Sequence, residues 1–180
     1  WQISGDWLIN QKIRISANLL FDEFVLDQVE FDWGKEHGKA YSYRIAYTPD
    51  KSHQSLLTIY SSLINVGTPT FRHGDGFNNF VQRSKPLGWQ YGSDGWEIDL
   101  GINYFNKTNA FAQLEIGKRQ LGEESITSRP YDVFADYLAG PFPSGIVKET
   151  LFITSKFQWW WKPHLMLFSE FEFENNKSGE

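Results

Sequence analysis

Residues 96–118 read WEIDLGINYFNKTNAFAQLEIGK, and this stretch decides the fold class. Apolar and aromatic side chains alternate with polar residues or glycine over 96–105, and a second alternating run covers 110–118. A period of two places successive side chains on opposite faces of a β-strand. The segment 106–109 between the two runs is polar and typical of a turn. The stretch therefore predicts a β-hairpin with one apolar face and one polar face.

The same alternation recurs along the rest of the chain and predicts about seven strands in all, while residues 1–11 stay without an assignment. A short local strand is also expected near residues 80–83. Besides the hairpin, the predicted strands cover about 11–21, 40–48, 55–64, 149–159 and 164–174.

The connections between these strands alternate in length. Those at 22–39, 65–95 and 119–147 are long, and the intervening ones are tight turns. In an antiparallel up-and-down sheet, consecutive connections lie at opposite ends, so all long connections share one end. Outer-membrane barrels have this asymmetry. The sequence thus predicts an all-β fold, an antiparallel up-and-down transmembrane β-barrel, with residues 1–180 forming part of a single barrel domain.

Composition narrows the function classes. The net charge of −5 and the lack of a Lys/Arg cluster disfavour nucleic-acid binding. No run of about eighteen apolar residues is present, which disfavours a membrane-spanning helix. The absence of cysteine fits passage through an oxidising envelope. Because the chain starts at Trp1 and ends in a loop-like segment, we expect it to be a fragment of a longer barrel.

The two faces of the predicted sheet have different expected environments. The apolar face should contact lipid and the polar face a hydrated lumen. Aromatic residues beside the tight turns should form an interfacial girdle, with core packing in a soluble sheet as the alternative. The predicted lumen-facing residues are Arg44, Glu97, Asp99, Glu115, Lys156, Glu170 and Glu172, and the predicted girdle consists of Tyr47, Tyr104, Trp159, Trp160 and Trp161.

No catalytic or metal-binding constellation emerges from the sequence. The histidines His37, His53, His73 and His164 are scattered, without the spacing of metal ligands. Glu97, Asp99 and Glu115 share a face and could serve acid/base chemistry, but similar polar residues on other strands favour a hydrated wall. We therefore expect neither enzymatic activity nor a cofactor or metal.

Four short motifs stand out, NVGTPTFRH at 65–73, PLG at 86–88, GSD at 92–94 and LLFDEF at 19–24. Together they resemble the capsule-assembly Wzi family of outer-membrane barrels. The resemblance implies a larger barrel in the outer membrane of a Gram-negative envelope. It also implies a lectin that holds capsular polysaccharide at the cell surface, and not an enzyme.

Given this resemblance, surface or capsular polysaccharide and the lipid bilayer are the expected partners, and the complete barrel is expected to be a monomer. Sugar rings would stack on aromatic side chains and accept hydrogen bonds from polar groups in the extracellular loops. The candidate polysaccharide-binding residues are Trp89, Tyr91, Asp94, Arg83, His73 and Asn79.

Two other functions fit the same pattern. A general porin or channel would use the same two-faced strands and should show a steady conductance. A soluble lipocalin-like ligand-binding barrel is the second alternative, since Gly5-x-Trp7 is similar to the first lipocalin motif and such barrels have eight strands. A soluble barrel should fold in buffer without detergent.

Overall fold

The computed structural model describes residues 1–49, 54–72, 80–83, 85–124, 126, 138–162 and 164–178. In these residues the secondary structure is mainly β, with one short helix, α1 (Gln28–Asp32). The strands are β1 (Gln2–Leu8), β2 (Ile13–Glu23), β3 (Gly38–Tyr47), β4 (Ser55–Val66), β5 (Val81–Gln82), β6 (Lys85–Pro86), β7 (Gly95–Asn106), β8 (Ala110–Leu121), β9 (Lys148–Lys162) and β10 (Leu165–Ser178).

Eight strands form one antiparallel sheet in the order β1-β2-β3-β4-β7-β8-β9-β10, and β5 pairs with β6 in a separate small hairpin. Apart from that hairpin, each strand pairs with its neighbour in sequence, which confirms the predicted all-β, up-and-down arrangement. Within the described residues the sheet is open, with β1 and β10 at its edges. Closure into a barrel therefore stays a prediction.

The sheet has one strand more than predicted, because β1 lies in the region left unassigned. On the face that carries Ile3 and Trp7, the intervening position is Gly5, and the Trp7 indole covers it so closely that a Cβ there would lie 2.1 Å from the ring. A glycine in the apolar row interrupts the alternation on which the prediction depended. The pairing itself is regular, from Gln2 opposite Leu20 to Leu8 opposite Arg14.

The alternation of long and short connections is present in the structure. The long ones are 24–37, 67–94 and 122–147, and the first of these holds α1. Asp27 caps α1 by accepting a hydrogen bond from the Val29 N–H at 2.8 Å. Burial lowers the pKa of Lys35, but hydrogen bonds to Glu30 and Glu23 more than offset this and raise it overall. In the described part of the chain, no helix has the length and apolar composition required to cross a membrane.

The pairing register sorts the side chains onto two faces. Residues directly opposite each other share a face, so one row crosses all eight strands and is apolar except for one serine. We call this side the apolar face; Leu100 is 53% and Phe173 is 54% exposed there. The row consists of Trp7, Ile15, Ile45, Ser61, Leu100, Ile116, Ile153 and Phe173.

The opposite side, which we call the polar face, is the more buried one. Tyr60, Asp99, Arg119 and Phe152 all lie there and are at most 7% exposed. The usual relation between polarity and burial is thus inverted across β4–β9, since the buried residues there lie on the polar face while the apolar face is open.

Glycines on the polar face make room for aromatic rings from the neighbouring strands. A Cβ on Gly101 would lie 2.2 Å from the Tyr60 ring, and a Cβ on Gly117 would lie 2.3 Å from the Phe152 ring and 2.7 Å from the Ile98 carbonyl oxygen. The Tyr60 hydroxyl donates to Glu115 Oε2 at 2.6 Å, so its ring cannot move without breaking that bond.

We expect Gly117→Ala to destabilise the fold by about 1–3 kcal/mol, because the added methyl group would overpack against Phe152 and the backbone. The matched control is Gly140→Ala, since a Cβ there meets nothing within 4 Å. Denaturant unfolding of both variants in detergent measures the difference. Equal unfolding free energies would contradict the close packing of Phe152 on Gly117.

Candidate binding cavity on the polar face

The β4–β7 connection folds back against the sheet and is held at its start by hydrogen bonds to the backbone of β3. The Gly67 N–H donates to the Lys39 carbonyl at 3.0 Å, and the hydroxyl of fully buried Thr70 donates to the same oxygen at 2.7 Å. The buried Arg72 guanidinium forms an ion pair with Glu124 of the β8–β9 connection at 2.9 Å. Two of the long connections are therefore joined to each other and to the sheet.

Asp94 is the second junction between these connections. Its side chain is fully buried, and Oδ1 accepts from the Thr68 hydroxyl at 2.8 Å and from the Ser144 N–H at 2.9 Å. Oδ2 accepts from the Glu124 N–H at 3.0 Å and from the Ser144 hydroxyl at 2.5 Å. Its backbone has a φ of 61°, a left-handed conformation that Asp tolerates better than most residues. Asp94 thus joins three segments and presents no surface to a sugar.

Phe71 lies between these junctions in a strained backbone conformation. Its φ is 65°, which a bulky L-residue rarely adopts, and its N–H donates to Asp22 Oδ2 at 2.8 Å. The ring stacks on Phe80 with centroids 5.1 Å apart. Gly88 permits this position, since a Cβ there would lie 3.2 Å from the Phe71 ring. The strain is therefore supported by a carboxylate on one side and by ring packing on the other.

A cavity of about 520 Å³ lies between these aromatic residues and the polar face of β1–β4. Phe71, Phe80 and Trp89 line it from the connection, and Asn18 and Ser42 line it from the sheet. The Asn18 amide donates to the Ser42 hydroxyl at 3.0 Å. This volume is within the range typical of small-molecule sites, which have mostly apolar walls and a few polar groups.

Trp89 and Tyr91 connect the cavity to a charged cluster. The two rings meet edge to face at 5.3 Å, and the Arg119 guanidinium lies 3.7 Å from the centre of the Tyr91 ring. Arg119 also forms ion pairs with Glu97 at 3.1 Å and with Glu174 at 2.5 Å. Burial raises the pKa of the Tyr91 hydroxyl, and the nearby positive charge of Arg119 only partly opposes this. The phenol is therefore protonated at neutral pH.

The predicted lumen-facing residues do share one face of the sheet, because the register places all of them on the polar face. Arg44 stacks on the Tyr60 ring at 3.8 Å, and Lys156 pairs with Glu170 at 2.6 Å. The Asp99 carboxylate accepts from the Ser62 hydroxyl at 2.5 Å. That this face lines a lumen stays a prediction.

The predicted sugar-binding residues have separate locations. Trp89 is half-buried and lines the cavity, whereas Tyr91 is half-buried beneath Arg119, so neither is the exposed loop platform that the sequence led us to expect. Arg83 is exposed in the turn between β5 and β6 and does not line the cavity. His73 and Asn79 lie outside the described residues.

The predicted girdle requires one correction. Tyr47, Tyr104, Trp159 and Trp161 are on the apolar face, where Trp159 and Trp161 stack at 6.4 Å. Trp160 lies on the polar face, opposite Met166. The cause is the length of β9, which continues to Lys162, so strand alternation extends through all three consecutive tryptophans.

Sequence reasoning missed most of the cavity. It did not name Phe71 or Phe80 as binding residues, although Phe71 belongs to the motif at 65–73; the two come from the ends of a glycine-rich segment that has no periodicity. It placed Asn18 and Ser42 on the polar sides of their strands without connecting them. The available signals were the motifs at 19–24, 65–73 and 86–88, which contain Asp22, Phe71 and Gly88, and the candidate residue Trp89.

Comparisons with protein families, with characterised proteins and with solved structures gave no match to this chain. Its function is therefore inferred from the geometry of the sheet and of the long connections.

We expect Asp94→Asn to loosen the two connections, since an amide nitrogen cannot accept a hydrogen bond from the Ser144 or Glu124 donors. The loss of charged hydrogen bonds should cost about 2–3 kcal/mol of unfolding free energy. Cleavage by an added protease within 122–147 should also become faster. Asp32→Asn is the control, because Asp32 is exposed and its side chain accepts a hydrogen bond from nearby Gln28. Unchanged cleavage in D94N would contradict the role assigned to Asp94.

Proposed function

We propose that the chain forms part of the wall of an outer-membrane β-barrel that binds surface polysaccharide at the end where its long connections lie. One observation carries the membrane assignment, namely that seven of the eight strands expose large apolar or aromatic side chains on the apolar face, with those of β2 half-buried. A soluble monomer rarely exposes a continuous apolar area beyond a few hundred Å². A barrel wall in lipid requires such an outer surface.

Strand length supports the same assignment. A tilted transmembrane strand needs about 9–11 residues. From β3 to β8 the long strands have 10 to 12 residues, and β9 and β10 have 15 and 14. These strands are long enough to cross the hydrocarbon core, with additional residues at the interfaces.

On the apolar face, the stretch of each strand that carries apolar side chains forms a belt, and the position of this belt along the strands shifts across the sheet. At the level where β3 carries Tyr41, the paired positions on β8, β9 and β10 are Gln120, Glu149 and Lys177. In the other direction, β9 continues with Trp159 and Trp161. The belt thus runs obliquely to the strand pairs. Strands tilted by about 35–45° in a planar membrane would produce this pattern.

The soluble lipocalin-like alternative would have the opposite distribution of side chains. A soluble barrel packs its apolar side chains inside and exposes polar ones. In this sheet Arg119 and Asp99 are buried while Ile116 and Leu100 are exposed. The proposed barrel is closed by further strands that pair with the free edges of β1 and β10, since an unpaired edge in lipid is costly.

Polysaccharide binding is supported by the long-connection end of the sheet. The described residues 65–72, 80–83 and 85–94, which hold part of the resemblance to the Wzi family, place aromatic side chains beside hydrogen-bonding groups. Sugars are recognised by this combination, because aromatic rings stack on their apolar faces and polar groups bond their hydroxyls. The proposed protein is thus a lectin and not an enzyme.

A channel is the second candidate, and the charges of the polar face favour it. The eight carboxylates of this face outnumber its six cations, which would attract cations into a pore. The carboxylates are Asp6, Asp22, Glu97, Asp99, Glu115, Glu170, Glu172 and Glu174, and the cations are Arg14, Arg44, Arg119, Lys148, Lys156 and Lys162. The β4–β7 connection, however, covers the polar face near the junction with Arg119.

For the membrane assignment, we expect Leu100→Lys to destabilise the protein in lipid vesicles and to lower its free energy of unfolding by about 2–4 kcal/mol, as for a cation at mid-bilayer. Asn175→Lys is the matched control, because Asn175 is on the same face but level with Lys118, where a charge should cost about 0–1 kcal/mol. Equal effects of the two substitutions would show that the apolar face is not in lipid.

To separate lectin from channel, we expect the complete protein in nanodiscs to retain purified capsular polysaccharide, and planar bilayers containing it to show no steady conductance. The first readout reports binding and the second an open pore. A stable conductance without polysaccharide retention would favour the channel.

A further inference from the structure

We propose that the cavity between Phe71, Phe80 and Trp89 and the polar face of β1–β4 holds an acyl group, that is, an aliphatic chain that ends in a carbonyl. The proposal goes beyond polysaccharide binding, because an acyl group can belong either to a substituted glycan or to a lipid. Both sources present the same chemistry to the protein, namely an apolar chain and a hydrogen-bond-accepting oxygen.

The sheet side of the cavity is apolar, although it lies on the polar face. Leu20, Ala40 and Val66 are directly opposite one another on β2, β3 and β4, and Ile64 lines the cavity beside them. Arg44 is on the same face of β3, four positions farther along the strand from Ala40. The polar face therefore gives way to an apolar surface at the end where the long connections lie.

The β4–β7 connection faces this apolar surface with aromatic rings but does not fill the space between. Phe71 stacks on Phe80, and the position of Phe71 is held by the bond from its N–H to Asp22 Oδ2. Protein interiors pack closely and rarely leave a void much larger than a water molecule, because the atoms that line an apolar void lose their contacts. The volume of about 520 Å³ between rings and sheet therefore indicates space for an apolar ligand.

One hydrogen-bond donor at the cavity has no acceptor. The indole nitrogen Nε1 of Trp89 is buried, and no described residue accepts a hydrogen bond from it. Trp89 lines the cavity, and an indole N–H can only donate, so a ligand that completes this bond must supply an acceptor oxygen. A carbonyl at the end of an aliphatic chain supplies this oxygen next to a chain that packs on the apolar walls.

The polar side chains of the lining already have partners within the protein. The Gln2 amide donates to the Ser4 hydroxyl at 3.1 Å, and the Asn18 amide donates to the Ser42 hydroxyl at 3.0 Å. The Asp22 carboxylate accepts from the backbone of the connection. Trp89 differs from them, because its N–H is buried without a partner in the described part of the chain. The carbonyl of the ligand should consequently lie at Trp89.

The test uses the complete protein in nanodiscs and two probes that share an octanoyl group. Methyl octanoate represents a lipid source, and octanoylglucose represents a glycan source. Equilibrium dialysis measures binding, after uptake by empty nanodiscs is subtracted. Ala40→Phe fills the cavity from β3, and Trp89→Phe keeps an aromatic ring but removes the N–H, so the test stands if A40F fails to fold. The matched controls are Ala139→Phe and Trp33→Phe, since both residues are exposed and neither lines the cavity.

We expect at least one probe to bind, with a Kd raised about tenfold or more in A40F, about three- to tenfold in W89F and less than about twofold in both controls. Tighter binding of methyl octanoate would assign the acyl group to a lipid, and tighter binding of octanoylglucose would assign it to a glycan. Failure of both probes to bind above empty nanodiscs would overturn the acyl site, as would equal affinity of wild type and A40F. An unchanged Kd in W89F would overturn the bond to the carbonyl. Polysaccharide retention is measured on the same nanodiscs, so retention without octanoyl binding overturns the acyl site alone, whereas octanoyl binding without retention overturns the proposed function alone.

Discussion

The register of the eight paired strands is the constraint on which the rest of the structure depends. Because side chains alternate with a period of two, a slip of one residue in any pair would move every side chain of that strand to the other face. Leu100 would then enter the row of Asp99, next to Ser62 and Gly117. Charged residues would be placed among exposed isoleucines, and the glycines that accommodate Tyr60 and Phe152 would be lost. The pattern of two faces therefore specifies one pairing and excludes its neighbours.

The polar face tolerates buried charge because its groups are paired across several strands. Arg119 contacts Glu97 on β7 and Glu174 on β10, and its guanidinium covers Tyr91 from the connection. A buried ion pair contributes little net stability, but removing one partner leaves an uncompensated charge and is costly. The value of such a cluster is consequently specificity. It fixes the position of the β4–β7 connection relative to the sheet, which a purely apolar contact with Phe152 would not do.

The regular part of the fold could be predicted from sequence, because the period of two belongs to the strand itself and persists in any environment. Strand β7 and its partner β8 were evident for this reason. Prediction failed in β1, because Gly5 interrupts the period. It also gave the wrong face for Trp160, because β9 continues beyond its predicted end. Asp94 illustrates a different limit. Its donors come from Thr68, Glu124 and Ser144, and no local pattern reveals that segments up to 50 residues away converge on one carboxylate.

The cavity depends on these same long-range contacts. Phe71 and Asp94 both have positive φ, and each is held by hydrogen bonds that involve a carboxylate, Asp22 in the first case and Asp94 itself in the second. Strain of this kind persists only when the surroundings outweigh its cost of about 1–3 kcal/mol per residue. The ion pair of Arg72 with Glu124 and the stacking of Phe80 supply part of that compensation. An aromatic wall positioned in this way is rigid before a ligand arrives, so the cost of ordering it is met during folding and not during binding.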